Sequence, residues 1–139
     1  MYIDIVNTLR EAAEHVNPKG VFYHGRVSDA NLYIESKPLP QIHLYPFRIT
    51  HPIRNSVDVV PNVLMAFIFQ DTPHTSDEDR TDIVNEADRM QRLFENWLIA
   101  NDITYSNYEA EPFFKQFNGV TSGMFVRFQL QIKTNPCEL

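Results

Sequence analysis

The sequence predicts an α+β fold: a mostly antiparallel sheet in the element order α-β-β-β-α-β-β, with one long helix packed across it. Three stretches carry that prediction. Ser76 to Asn101 sets Ile83, Ala87, Met90, Phe94 and Trp97 at alternating steps of four and three, which is one helical face, with Val84 and Leu98 widening the stripe. After Pro61, the run VLMAFIF puts Val63, Met65, Phe67 and Phe69 on one side and Leu64, Ala66 and Ile68 on the other. Both sides are apolar, as in a strand covered on both faces, so a second layer or a neighbouring subunit is expected opposite the long helix. Met124 to Lys133 alternates: Met124, Val126, Phe128, Leu130 and Ile132 point in, while Arg127, Gln129, Gln131 and Lys133 point out.

The remaining elements follow in order. Residues 2–16 read as an amphipathic helix with Ile5, Leu9, Ala12 or Ala13, and Val16 as its stripe, stopped by Asn17, Pro18 and Gly20. Val21 to His24 is a short strand. Arg26 to Pro40 is ambiguous, with Asn31 to Glu35 either a short strand or an irregular excursion. Gln41 to Thr50 alternates with a phase change at Pro46, which predicts an edge strand or a bulge at Tyr45-Pro46. His51 to Ser56 makes a loop. Ser56 to Gln70 is long for one strand and predicts a bulge or bend near Pro61. Ser76 and Asp79 form a capping-box-like start to the long helix, acids crowd its first turns, and Asp88 and Arg92 can pair one turn apart. Ile103 to Tyr108 is a strand candidate followed by the aromatic EPFFKQF, and Asn118-Gly119 is a hairpin signal. Thr121-Ser122-Gly123 competes with it as a turn.

With 139 residues, 43% hydrophobic, 22% charged and 12% aromatic, the chain has the composition of one soluble folded domain spanning residues 1–139. A net charge of −6 argues against a nucleic-acid-binding surface, which would carry a basic excess. Cys137 is the single cysteine, so no intrachain disulfide can form, which suits a reducing compartment. The start MYIDIVNTLREAAEHV lacks a cleavage-site pattern, and the longest apolar run, Val63 to Phe69, is too short to span a bilayer.

Chemistry-bearing patterns are sparse. His15, His24, His43, His51 and His74 form neither an HxH nor an HExxH pair. His24 and His43 lie on different strands and could meet across the sheet, though no further ligands can be named. Asp71, Asp77, Glu78, Asp79 and Asp82 lack the order of a calcium loop and are explained by a helix N-terminus. No nucleophile elbow, phosphate loop or dinucleotide fingerprint occurs. The sequence therefore names no catalytic residue, no cofactor and no metal, and the expectation is a non-enzymatic protein. Tyr105, Tyr108, Phe113, Phe114 and Phe117 read as core, the commoner role for such spacing, or as a ligand or partner surface, and not all of them fit one small core beside Phe67, Phe69, Phe94, Trp97, Phe125 and Phe128. That surplus points to a subunit interface.

The succession of a short N-terminal helix, a strand carrying the phrase from Pro40 to Phe47, a long apolar strand, a polar loop, a long amphipathic helix and a closing hairpin resembles the tail terminator and tail completion proteins of long-tailed bacteriophages. The ending GVTSGMFVRFQLQIKTNPC is also similar to small phage and prophage proteins. The resemblance covers nearly the whole chain in element order, without an invariant motif. It implies a virion protein assembled in the bacterial host cytoplasm as a homo-oligomeric ring, hexameric or larger, at the head–tail or neck–tail junction. Its partners would be neighbouring neck and tail-tube proteins, with genomic DNA as passing cargo. In such rings the sheets of adjacent subunits often form a continuous inner wall. The loops Arg48 to Pro61 and Asp71 to Ser76 are then the candidate segments reaching neighbours, and Arg127, Gln129, Gln131 and Lys133 are either the candidate lumen face or a plain solvated face. Arg48, Arg54, Tyr108, Phe113, Phe114 and Phe117 are candidate inter-subunit residues. The stretch Arg26 to Pro40 has no place in that pattern. The alternatives are a small dimeric α+β binding or adaptor module, and an enzyme whose site is assembled from distant residues.

Overall fold

The computed structural model describes residues 2–50, 57–72, 74–116 and 121–133. The elements run α1 (Tyr2–Val16), β1 (Val21–His24), a 3-10 turn (Val27–Asp29), α2 (Ala30–Ser36), β2 (Gln41–Leu44), β3 (Val57–Gln70), α3 (Asp77–Ala100), β4 (Thr104–Gln116) and β5 (Thr121–Lys133). The protein is α+β, with three helices on a five-stranded mixed sheet of order β1-β2-β3-β5-β4.

Two features of β1 and β2 depart from the sequence reading. β1 and β2 pair in parallel, Val21 opposite Gln41 through His24 opposite Leu44. Parallel neighbours need a crossover of a dozen residues or more, usually carrying a helix. Residues 25–40 are that crossover, and α2 is its helix. Seven residues show too little of a period to choose: Leu32 and Ile34 mimic strand alternation, whereas Ala30 and Ile34 lie one helical turn apart. The helix buries Ala30 and Ile34 and leaves Leu32 71% exposed. β2 is also interior, between β1 and β3, and it ends at Leu44. Pro46 follows the strand and costs the ladder nothing.

β3 pairs with β2 on one side and β5 on the other, both antiparallel, and its register slips between Val60 and Val63 around Pro61. The slip keeps Asp58 and Val60 on the same face as Val63, Met65 and Phe67, because each direct partner across the ladder shares its face. That face carries the main core. α1 covers it over β1 and β2 with Ile5, Val6, Leu9, Ala12 and Ala13, and α3 covers β3, β5 and β4. Phe94 of α3 meets Phe67 edge-on at 5.5 Å and Phe128 at 6.2 Å.

α3 begins as its sequence indicates. The Ser76 hydroxyl accepts the Asp79 amide at 3.2 Å, and Arg92 pairs with Asp88 at 2.9 Å. The buried stripe is rotated from the expected one: Arg80, Ala87, Gln91, Phe94 and Leu98 are innermost, while Ile83, Met90 and Trp97 are half-buried. Gln91 goes inside because Tyr108 of β4 donates its hydroxyl proton to the Gln91 side-chain oxygen at 2.9 Å. The helix stops without glycine. Asp102 adopts φ 57°, and the amides of Asp102 and Ile103 return to the carbonyls of Ile99 and Leu98. That is the paired-bond ending a glycine usually supplies, and Asp tolerates the left-handed region better than most residues.

β4 is twice the expected length and takes in most of EPFFKQF. It is bulged twice against β5, between Ser106 and Glu109 and between Phe113 and Gln116, with Asn107 and Lys115 left-handed at φ 55° and 50°. Thr121-Ser122-Gly123 is the start of β5, so it is strand and not turn. His51, Arg54, Phe117, Asn118-Gly119 and Cys137 lie outside the described residues, as does the side chain of Lys133. Among the described residues no helix is long and apolar enough to cross a membrane.

Candidate functional site

The second face of the sheet is only half covered, and the boundary between its halves positions everything of functional interest. Over β1, β2 and the end of β3, α2 presses Ala30 and Ile34 onto Tyr45, Ala66 and Ile68. Beneath lies a buried polar-aromatic nest. His43 has Tyr23, Tyr33 and Tyr45 rings around it at 4.7, 6.1 and 6.1 Å. Its Nε2 meets the Gln41 side-chain oxygen at 2.7 Å, and Gln41 in turn donates to the Lys37 carbonyl at 3.1 Å. With its amide nitrogen so committed, Gln41 presents an acceptor, so His43 Nε2 carries the proton. Burial lowers the imidazole's pKa to about 3. The ring is a neutral, fully enclosed part of the core.

His24 does not join it. Adjacent residues on a strand face opposite sides, and His24 follows Tyr23. Its Nδ1 donates to the Leu44 carbonyl at 2.8 Å, and Nε2 accepts the Tyr2 hydroxyl at 3.0 Å. Among the described residues no three His, Cys, Asp or Glu side chains converge on a common point.

At the end of β3, Asp71 forms a buried junction of three elements. Its carboxylate accepts the Ser122 hydroxyl of β5 and Arg80 Nε of α3, the latter at 2.9 Å. Arg80 also donates to the carbonyl of Thr75 at 3.0 Å, and Ser122 accepts the Lys115 amide of β4 at 3.2 Å. Burial alone would raise the Asp71 pKa. Hydrogen bonds from Ser122, Thr75, Arg80 and the Thr72 amide outweigh it and hold the carboxyl well below the usual range. The sequence reading assigned Asp71 to a helix-start acid cluster; its side chain instead ties the sheet end to the helix.

The other half of this face, over β3, β5 and β4, has no covering element among the described residues. Its side chains fall into rows set by the ladders. Leu64, Arg127 and Glu109 form one row, and Ala66, Phe125 and Glu111 the next. Leu64 and Phe125 are half-buried apolar groups at the floor of an open recess of about 200 Å³, and Glu109, Glu111 and Arg127 stand around it. No ion pair engages any of the three charges among the described residues. Arg127 and Gln131 are exposed and Gln129 half-buried on this same face, so the three described residues of the expected polar face do lie together.

The expected inter-subunit residues do not form one group. Tyr108 stacks on Phe128 at 5.4 Å with its hydroxyl on Gln91, and burial pushes that phenol's pKa up. Phe113 is buried against Phe125 at 4.5 Å. Both serve the subunit's own core. Phe114 is 50% exposed, and Arg48 is exposed beside the bridge from Thr50 to Val59. The residues that sequence reasoning passed over are Leu64, Glu109, Glu111 and Phe125. Their signal was the apolar second side of the long strand, joined to the every-other-residue spacing of the two acids. No family model matches the chain, and comparison with curated proteins finds no match.

Proposed function

We propose that the chain is a structural virion subunit. Many copies would form a ring at a phage head–tail or neck–tail junction, working by assembly and not by catalysis. Its partners in this reading are further copies and the neck and tail-tube proteins above and below, with genomic DNA only as cargo. The observation that carries the reading is the half-open sheet. A central strand with apolar residues on both sides, Leu64 among them, is covered by helices on one face and by α2 over only part of the other. Such a face is completed by another chain more readily than by water. The element order supports the same reading through the resemblance to tail terminator proteins. Arg127, Gln129 and Gln131 are the described candidates for a lumen face, and Phe114 and Arg48 the exposed candidates for contacts between neighbours.

A closed ring above a dimer uses head-to-tail contacts, whereas a dimer uses one self-complementary patch. Light scattering across a concentration series, with negative-stain images, separates them. Rings with an open centre support the proposal, and a dimer or monomer at every concentration rejects it. A small dimeric binding or adaptor module is the second reading, favoured by the mixed charges around Leu64 and Phe125.

A further inference from the structure

The sheet itself offers another chain two edges and one open face, and the edges are closed to strand addition. β1 is four residues long, and its Phe22 carbonyl already accepts the Tyr33 hydroxyl. β4 is long but carries Pro112 and two bulges with left-handed Asn107 and Lys115. Short strands, proline and bulges are the devices that stop edge-to-edge pairing. The open face remains.

We infer that the Leu64–Phe125 recess is a contact between two copies of this chain, related by a two-fold axis, in which Arg127 of each copy meets Glu111 of the other. The patch contains its own complement: an apolar floor with unpaired charges of both signs beside it. Its geometry follows from the ladder. Neighbouring strands lie about 4.8 Å apart, and residues two along a strand about 6.8 Å apart. Arg127 and Glu111 are therefore diagonal neighbours, one strand and one row apart. An axis lying in the contact plane and passing midway between them exchanges their positions. It sets Arg127 opposite the other copy's Glu111 twice over and brings Phe125 against Phe125. The same operation carries Leu64 towards the end of the other copy's β4 around Phe113, and it sets Glu109 beside the other copy's Glu109, a like-charge contact that the two Arg127–Glu111 pairs and the apolar floor must outweigh. The two sheets then cross steeply, towards the orthogonal class of sheet packing.

This contact stands on the open face alone and does not depend on ring closure. In a ring that used this contact, Arg127 would serve the pairing of copies, and Gln129 and Gln131 would be the described residues left for a lumen face. The test uses the full chain, its R127E and E111R variants, and an equal mixture of the two, with mass measured by light scattering. R127E makes the charged rim wholly acidic, and E111R leaves Glu109 as its one acid between two arginines. The wild type is expected as a pair or a multiple of pairs. Each variant alone should keep its circular dichroism and weaken the pair roughly tenfold or more. The mixture should restore the pair, because Glu at 127 then faces Arg at 111 in one contact and the native pair is kept in the other. A monomeric wild type, single variants with the wild-type mass, or a mixture that stays dissociated would each overturn the inference. Rings untouched by R127E overturn the pairing while leaving the ring proposal standing. A wild-type dimer that both variants break supports the pairing and removes the ring.

Discussion

Asp71 ties together three elements of the structure. Its carboxylate is reached from α3 and β5, and through Ser122 it is linked to β4. Removing one partner of a buried ion pair strands the other, at a cost of about 3–5 kcal/mol. Asp71→Ala should lower the unfolding free energy by that amount, read as a lower denaturant midpoint at an unchanged slope, and an unchanged midpoint would refute the junction. His43 makes a second residue-scale prediction. Its folded pKa is about 3 against an ordinary 6.5, so the unfolded chain binds more protons between those values. Stability then rises with pH, complete above 6.5 and progressively lost as pH falls towards 3. Asp71 has the same sign, since its depressed pKa confers stability above the ordinary 3.8 that is lost as acid protonates it. Between pH 6.5 and roughly 4.5 the histidine dominates. His43→Gln should therefore flatten the melting temperature across that window while keeping a donor towards Gln41.

At the scale of elements, the pairing of β5 with both of its neighbours depends on Gly123. A Cβ there would lie 1.9 Å from the Phe67 carbonyl oxygen and 3.1 Å from the Phe113 ring. The nearer obstacle is backbone and cannot rotate away. Gly123→Ala should force the β3–β5 ladder apart locally, with loss of amide protection around Ile68 and Phe113 in hydrogen exchange; unchanged protection would contradict the close approach. α3 teaches a related lesson about periodicity. Its apolar spacing marks a helix correctly, yet the innermost line runs through Arg80 and Gln91, because Asp71 and Tyr108 offer them partners inside. A buried polar residue is admitted where its hydrogen bonds are met.

For the molecule as a whole, the asymmetric covering of the sheet decides what can assemble. Helices enclose one face, α2 encloses half of the other, and both edges resist strand addition. Association through Arg127 and Glu111 is electrostatic at its rim and apolar at Phe125. Raising salt from a few tens of millimolar to about 1 M shrinks the screening length from over 10 Å to about 3 Å. The pair's dissociation constant should then rise modestly and not by orders of magnitude, because the apolar floor is unaffected. Sedimentation at the two ionic strengths checks this, and complete dissociation by salt would assign the contact to charge alone.

The local sequence was enough for the class of fold, for α1, and for the length of α3 with its Ser76 cap and Asp88–Arg92 pair. It also indicated the break near Pro61 and the alternation of β5. Each of these depends on neighbours within a turn or a few strand residues. Tertiary structure decided the rest. α2 is a helix because β1 and β2 are parallel and need a crossover, a relation between segments twenty residues apart in the chain. Tyr108 and Phe113 belong to the core because α3 and β5 come to meet them. Glu109, Glu111, Leu64 and Arg127 become one patch only when three strands adopt their register, since a ladder joins residues that no window of sequence holds together.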